Sequence, residues 1–187
     1  MHDLTPIAPL GGTAPREDVV GTLTLTERPD VALASVAARL GREAEVRGHL
    51  TDLLGRAPGP GEAVQGDPET GFWTGPDQWM VDAPHDTHED LADRLEARMG
   101  EAASVTEQTD AWACLDLRGE AMEEAMARLC ALDLPSMAPG TAQRTTIHHV
   151  GCFVIRRDPP DGTRIVGPRA SAGSLHHAIL GAMRSVA

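Results

Sequence analysis

Tyrosine and lysine are both missing from this 187-residue chain, and aromatic residues of any kind make up only 3% of it. Without lysine there is no Schiff-base nucleophile, which excludes imine catalysis and covalent pyridoxal phosphate attachment. With so few rings, the core must be filled by Leu, Val, Ala and the seven Met, an aliphatic and adaptable set. Cysteine is scarce as well. Cys114, Cys130 and Cys152 are an odd number at wide spacing with no Cys-x-x-Cys pair, which fits neither a disulfide framework nor a zinc ribbon. Each sits among apolar residues and reads as a small buried hydrophobe. Positive charge is outweighed, with 16 basic against 28 acidic residues and a formal net charge of -12. Phosphate backbones and anionic lipid surfaces recruit Lys and Arg, so neither nucleic acid nor a membrane is the expected partner. The balance suits a basic protein partner or plain solubility. No apolar run reaches the length of a signal peptide or a membrane span, and a soluble cytoplasmic protein is the expectation. Nor is there a Gly-x-Gly-x-x-Gly after a strand, a Gly-x-x-x-x-Gly-Lys-[Ser/Thr] loop or a Gly-x-Ser-x-Gly elbow.

What is present is concentrated. Three of the five aromatic residues fall in the run Gly71-Phe72-Trp73-Thr74-Gly75-Pro76-Asp77-Gln78-Trp79-Met80-Val81, and only Trp112 and Phe153 lie elsewhere. Aromatic side chains bury the most apolar area per residue, so this Gly-Pro-Asp turn is an organising point. Two readings of Trp73 and Trp79 stand side by side. Flanking a tight turn on paired strands, the rings fill the core of a lobe; alternatively they are exposed anchors at a subunit interface. Trp112 is a third candidate anchor.

Along the chain, residues 1–18 hold Pro6, Pro9, Gly11, Gly12 and Pro15 with little periodicity, the mark of an extended arm that orders where something packs on it. Residues 19–25 alternate apolar residues with Thr as a short strand would. A β-branched and small-residue run at 31–38 reads as a first core strand. Val46, Leu50, Leu53 and Leu54 follow at helical spacing up to Gly55. After the breaker Pro58-Gly59-Pro60-Gly61, two short strands flank Gly75-Pro76-Asp77-Gln78. Thr87 and Asp90 have capping-box spacing ahead of the stripe Leu91, Leu95, Met99, and residues 103–109 are strand material. A second pass of the same kind begins at Ala111. It has a strand through Leu115 and Leu117 closed by Gly119, a helix through Met122, Met126 and Leu129, and strand material over 145–155 interrupted near Gly151. A turn at Asp158-Pro159-Pro160-Asp161-Gly162, a returning strand at 163–166 and a closing helix through Leu175, Ile179 and Met183 complete it. The expectation is an α+β protein of two lobes of split βαβ, ferredoxin-like type with antiparallel sheets. Residues 1–29 form the arm, 30–110 the first lobe and 111–187 the second, packed as one structural unit.

No self-sufficient active site emerges. His148 and His149 on a strand would point to opposite faces, and His176 and His177 on a helix diverge by about 100°, so neither pair chelates well. A zinc site taking one His from each pair plus a Cys is the remaining metal reading. Glu120, Glu123 and Glu124 read as a solvated helix face. No catalytic, cofactor-binding or metal-binding residue is assigned.

The segment Gly75-Pro76-Asp77-Gln78-Trp79-Met80-Val81 resembles the Gly-Pro-Asp-Gln-Trp motif of the gamma subunits of heterotetrameric sarcosine oxidases. The resemblance continues through Ala103-Ser104-Val105-Thr106-Glu107-Gln108-Thr109-Asp110-Ala111, where Glu107 and Thr109 depart from the family's Val-Thr-Asp-Gln-Ser type. It goes on through Leu115-Asp116-Leu117-Arg118-Gly119, Cys130-Ala131-Leu132-Asp133-Leu134 and Gln143-Arg144-Thr145, and closes at Pro168-Arg169-Ala170-Ser171. It covers about residues 30 to 187. The resemblance implies a reduced relative of the folate-binding aminomethyltransferase (T-protein) fold. It also implies a non-catalytic chain whose partners are the alpha, beta and delta subunits, chiefly the large alpha subunit. FAD, FMN, NAD, zinc and tetrahydrofolate would then belong to those partners. The assembly it implies converts sarcosine, oxygen and tetrahydrofolate to glycine, hydrogen peroxide and 5,10-methylenetetrahydrofolate. The alternatives are a stand-alone folate-binding protein of the T-protein superfamily, for which His149-Val150-Gly151-Cys152-Phe153 matches a Lys-Gly-Cys-aromatic motif without its Lys, and a free-standing metal enzyme using Cys152 and the histidines.

Overall fold

The computed structural model describes residues 5–158 and 162–187. Of the turn expected at Asp158 to Gly162, residues 159–161 lie outside the described residues. In chain order the elements are β1 (Glu17–Val20), β2 (Leu23–Glu27), β3 (Val31–Ala38), α1 (Glu43–Leu54), β4 (Ala63–Gln65), β5 (Thr70–Gly75), β6 (Gln78–Pro84), α2 (Leu91–Met99) and β7 (Ala103–Glu107). They continue as β8 (Trp112–Arg118), α3 (Met122–Ala127), β9 (Ala142–Ile147), β10 (Val150–Arg156), β11 (Thr163–Pro168) and α4 (Ala172–Val186). The strands form two antiparallel sheets. By contacts the chain falls into two units. One gathers the chain up to Pro29 with residues 111–139 and 144–187, the other residues 30–110 and 140–143.

The second of these units is a five-stranded sheet in the order β4-β5-β6-β3-β7. The path β3–α1–β5–β6–α2–β7 with β3 between β6 and β7 is the split βαβ arrangement that the spacing predicts. The small and β-branched residues of β3 let α1 and α2 lie close against Ala32, Ala34 and Val36. Val46, Leu50, Trp79, Leu91, Leu95 and Met99 complete that core. Gly55 ends α1 in the left-handed conformation that only glycine adopts without cost. The capping box expected at Thr87 and Asp90 is not formed. Asp90 makes no side-chain cap bond and instead ion-pairs with Arg94 one turn on, at 2.7 Å.

In the first unit, six strands run in the order β1-β2-β8-β11-β10-β9. Leu23, Leu25, Leu115, Leu117, Val154 and Ile165 face α3 and α4, whose Met126, Leu175, Ile179 and Met183 close the core. Two sequence expectations differ here. The strand material over 145–155 breaks at His148-His149 and not near Gly151. These residues are a two-residue hairpin turn with φ of 47° and 68°, so they do not point to opposite faces of a strand. Nothing in a His-His pair announces a turn, since such turns usually carry Asn and Gly.

Residues 17–27 are not a free arm. They form the β1–β2 hairpin, whose β2 pairs with β8. The segment before it is tied down by polar bonds that leave no hydrophobic period to read. The buried Glu27 carboxylate accepts the backbone N–H groups of Leu10 at 2.7 Å and Arg16 at 3.0 Å, and Arg169 donates to the Ile7 carbonyl at 2.6 Å.

Candidate functional site

Local pairing builds the aromatic turn. Trp73 and Trp79 lie opposite each other across β5 and β6, and a register shift between Trp73 and Gly75 brings Gly75 opposite Gln78. Asp77 takes φ of 54°, a left-handed conformation that Asp tolerates better than most residues. Its carbonyl accepts the N–H of Ala38 at the end of β3, and its carboxylate accepts from Arg47 on α1 at 2.7 Å. Trp79 is fully buried. Its indole N–H donates to the Pro58 carbonyl at 2.8 Å, and the Arg47 guanidinium lies 5.3 Å from its ring centroid. Trp73 is half-buried and packs on the same core. Trp112, on β8 in the other unit, is half-buried and tilted against Phe153 at 5.9 Å. The three candidate anchors are therefore not one cluster. Trp73 and Trp79 come together in one unit, and Trp112 belongs to the other.

A polar centre that the sequence did not disclose lies on the six-stranded sheet, on the face away from α3 and α4. Register places Asp116 on β8 beside Thr26 of β2 and Arg164 of β11. Arg164 donates to Asp116 through Nε at 2.7 Å and Nη2 at 3.0 Å, Arg28 through Nη1 at 2.8 Å and Arg157 through Nη1 at 3.3 Å. Burial alone would push the Asp116 carboxyl up. The hydrogen bonds and charge of Arg164, with the charges of Arg157 and Arg28, outweigh it and hold the carboxyl below its ordinary range. A carboxylate held ionised in this way takes up no proton near neutrality, which fits it for cross-bracing strands and not for acid–base work. Asp116 itself lines a cavity of about 210 Å3 with Thr26, Arg28, Arg118 and Arg157. A separate cavity of about 460 Å3, lined by Thr22, Thr24, Arg118, Glu120, Met122 and Arg156 with Arg157, shares Arg118 and Arg157 with it and lies within the size range of small-molecule pockets. Sequence reasoning missed Asp116 because alternation with Leu115 and Leu117 reads as a solvent-facing position. The partners come from residues 28, 157 and 164, which no local pattern connects.

The other candidates separate. His148 and His149 are exposed at their turn, His176 is buried on α4 with Nε2 2.8 Å from the Asp18 carboxylate, and His177 is exposed. The Arg16 hydrogen bond, with His176 adding to it, draws the Asp18 carboxyl below its usual range. Cys152 is buried, and burial pushes its thiol up to about 11, so it stands as a protonated thiol near neutral pH. Among the described residues no three His, Cys, Asp or Glu side chains come together as a metal site. Cys114, Cys130 and Cys152 form no disulfide among the described residues. Among the described residues no helix is long and apolar enough to cross a membrane.

This geometry defines a class: a two-sheet α+β protein with split βαβ units, the architecture of the aminomethyltransferase fold. A chain of the heterotetrameric sarcosine oxidase from Corynebacterium sp. U-96, in complex with pyrrole 2-carboxylate, has the same fold, with a TM-score of 0.77 at 21% identity over 90% of this chain and 88% of that one. The glycine cleavage system aminomethyltransferase T from Bartonella henselae superposes with a TM-score of 0.67 at 16% identity, over 88% of this chain but 47% of that one. No protein-family model matches the sequence, and neither does any curated protein.

Proposed function

We propose that this chain is a gamma-type subunit of a heterotetrameric sarcosine oxidase. In this reading it is a non-catalytic chain that supports assembly of a complex that oxidatively demethylates sarcosine to glycine, with formation of hydrogen peroxide and 5,10-methylenetetrahydrofolate. The observation that carries the reading is the near end-to-end likeness to one sarcosine oxidase chain, joined to the ordered motifs from Gly75-Pro76-Asp77-Gln78-Trp79 to Pro168-Arg169-Ala170-Ser171. The aminomethyltransferase, by contrast, is matched over only about half its length. FAD, FMN, NAD, zinc and tetrahydrofolate are assigned to the alpha, beta and delta partners, with alpha the chief contact, in a soluble cytoplasmic complex. Trp79 serves as a lobe-core anchor, and the half-buried Trp73 and Trp112 are the rings that a partner would finish covering.

The test is co-expression with the other three chains. A four-chain particle with sarcosine-dependent hydrogen peroxide release is expected, and a stable monomer that ignores the other three subunits overturns the reading. The alternative of a stand-alone folate-binding protein draws on the aminomethyltransferase likeness alone. It predicts a calorimetric signal with tetrahydrofolate for the isolated chain, and no heat at high micromolar ligand dismisses it.

A further inference from the structure

Four strands end the two sheets: β1 and β9 in one, β4 and β7 in the other. Open edges recruit foreign strands, and proteins blunt them by shortness and charge. β4 has only three residues, β1 carries Glu17 and Asp18, and β7 ends on Glu107. β9 differs. It is the longest of the four, six residues, and from Leu134 to Arg157 the sequence has no Asp or Glu. Residues 134–187 hold two carboxylates and six arginines, whereas the whole chain has a net charge of -12. Arg144, exposed on β9, has no carboxylate partner among the described residues and lies over the Phe153 ring at 5.9 Å.

The backbone direction of this edge follows from the turn. With His148 and His149 as a two-residue loop, Ile147 and Val150 are the hydrogen-bonded pair next to it, so 147, 145 and 143 face β10 and the even positions face outward. The outward Ala142 N–H is already taken, bonded to the Gly61 carbonyl at 2.9 Å, with an isolated bridge between Glu62 and Thr141 beside it. Arg144 and Thr146 continue that row. The turn itself holds two consecutive non-glycine residues at positive φ, as a two-residue hairpin loop of this kind requires.

We propose that β9, with its His148-His149 tip, is a docking edge for an extended acidic segment of a partner protein, which adds as a strand at Arg144 and Thr146. Acidic charge on β1 and β7 turns such a segment away from those edges, while β9 admits it by backbone pairing and by Arg144. The inference deepens the subunit reading above and rests on it for the existence of a partner.

Two variants test it in the full chain co-expressed with the other three subunits. Thr146→Pro removes an outward N–H, and proline at such an edge position spares the pairing with β10. Arg144→Glu reverses the charge. Each isolated variant should match the wild type by circular dichroism and melting temperature, and each should weaken association at least about tenfold, the wild-type association itself falling as salt rises. If both variants assemble like wild type, the docking edge is refuted and the subunit reading stands. If wild type itself does not assemble, the subunit reading falls and takes the docking edge with it. If the isolated chain sediments as a dimer that Thr146→Pro abolishes, the occupant is a second copy and the acidic partner segment is overturned.

Discussion

Asp116→Asn is the perturbation whose outcome follows most directly from the geometry. It keeps the shape of the side chain, removes its charge and turns an amide N–H2 toward guanidinium donors. Asp116 and Arg164 are 10% and 8% exposed at their side chains, and together with Arg28 and Arg157 they tie β8, β11, the residue after β2 and the residue after β10 into one network. Breaking a buried ion pair by removing one partner costs about 3–5 kcal/mol. Arg28 and Arg157 are 33% and 21% exposed, so water replaces part of what they lose. A loss near the lower limit, about 3 kcal/mol, is therefore expected at pH 7. In a chain of this length that corresponds to roughly 6–12 °C in melting temperature.

The pH dependence has a definite sign. The folded carboxyl lies below its unfolded value, so its contribution is complete above the unfolded pKa, about 4, and is lost as pH falls through the folded pKa. Differential scanning calorimetry of wild type and variant should show a constant gap between pH 5 and 8 that narrows below about pH 4. A gap under about 2 °C at pH 7, or one that widens in acid, would refute the reasoning.

Three further outcomes can be checked together. Glu27→Gln replaces one of two acceptor oxygens by a donor that faces a backbone N–H. It should cost about 1–2 kcal/mol and speed tryptic cleavage after Arg16 by about tenfold; an unchanged digestion pattern would contradict the clasp. Trp79→Phe loses the donor to the Pro58 carbonyl and part of a fully buried ring, so urea denaturation should report a loss of about 2–3 kcal/mol, and no loss would mean that the indole N–H is dispensable. Gly119→Ala places a Cβ 2.1 Å from the Thr22 carbonyl oxygen at φ of +124°, so the variant should lose more than about 3 kcal/mol. The control Gly55→Ala, left-handed at φ of +83° with nothing within 4 Å of its Cβ, should lose only about 1–2 kcal/mol; equal melting temperatures for the two would refute the steric argument.

Elements with an apolar face were legible in the sequence, and elements held by polar bonds were not. β3, α1, β8 and α4 follow from the spacing of Val36, Leu50, Leu115 and Ile179, since burial of a face imposes a period on the residues that form it. The segment before β1 carries no such period because a carboxylate at Glu27 and the Arg169 guanidinium order it through its backbone. Asp116 is a charged residue at a position that alternation assigns to solvent, and only the long-range pairing of β8 with β2 and β11 brings its arginines to it. The break at His148-His149 was misplaced because the residues there are not the ones that favour a turn.

The Gly75-Pro76-Asp77-Gln78-Trp79 motif and the β9 hairpin stand in contrast. In the motif the polar atoms that could recognise a ligand are engaged inside their own unit: the Asp77 carboxylate with Arg47, the Asp77 carbonyl with Ala38, the indole N–H of Trp79 with Pro58. Each of these bonds fixes the angle at which α1 and β3 meet the β5–β6 turn, so the motif is informative about the fold because it is occupied in making it. Recognition by hydrogen bonding needs donors and acceptors that folding has not already paired. The β9 edge has such a row at Arg144 and Thr146, on a stretch without carboxylates, and it announces itself by no motif at all. A segment that names the fold and a segment that meets a partner are thus expected to be different segments, because one group cannot satisfy the interior and stay open to a second molecule.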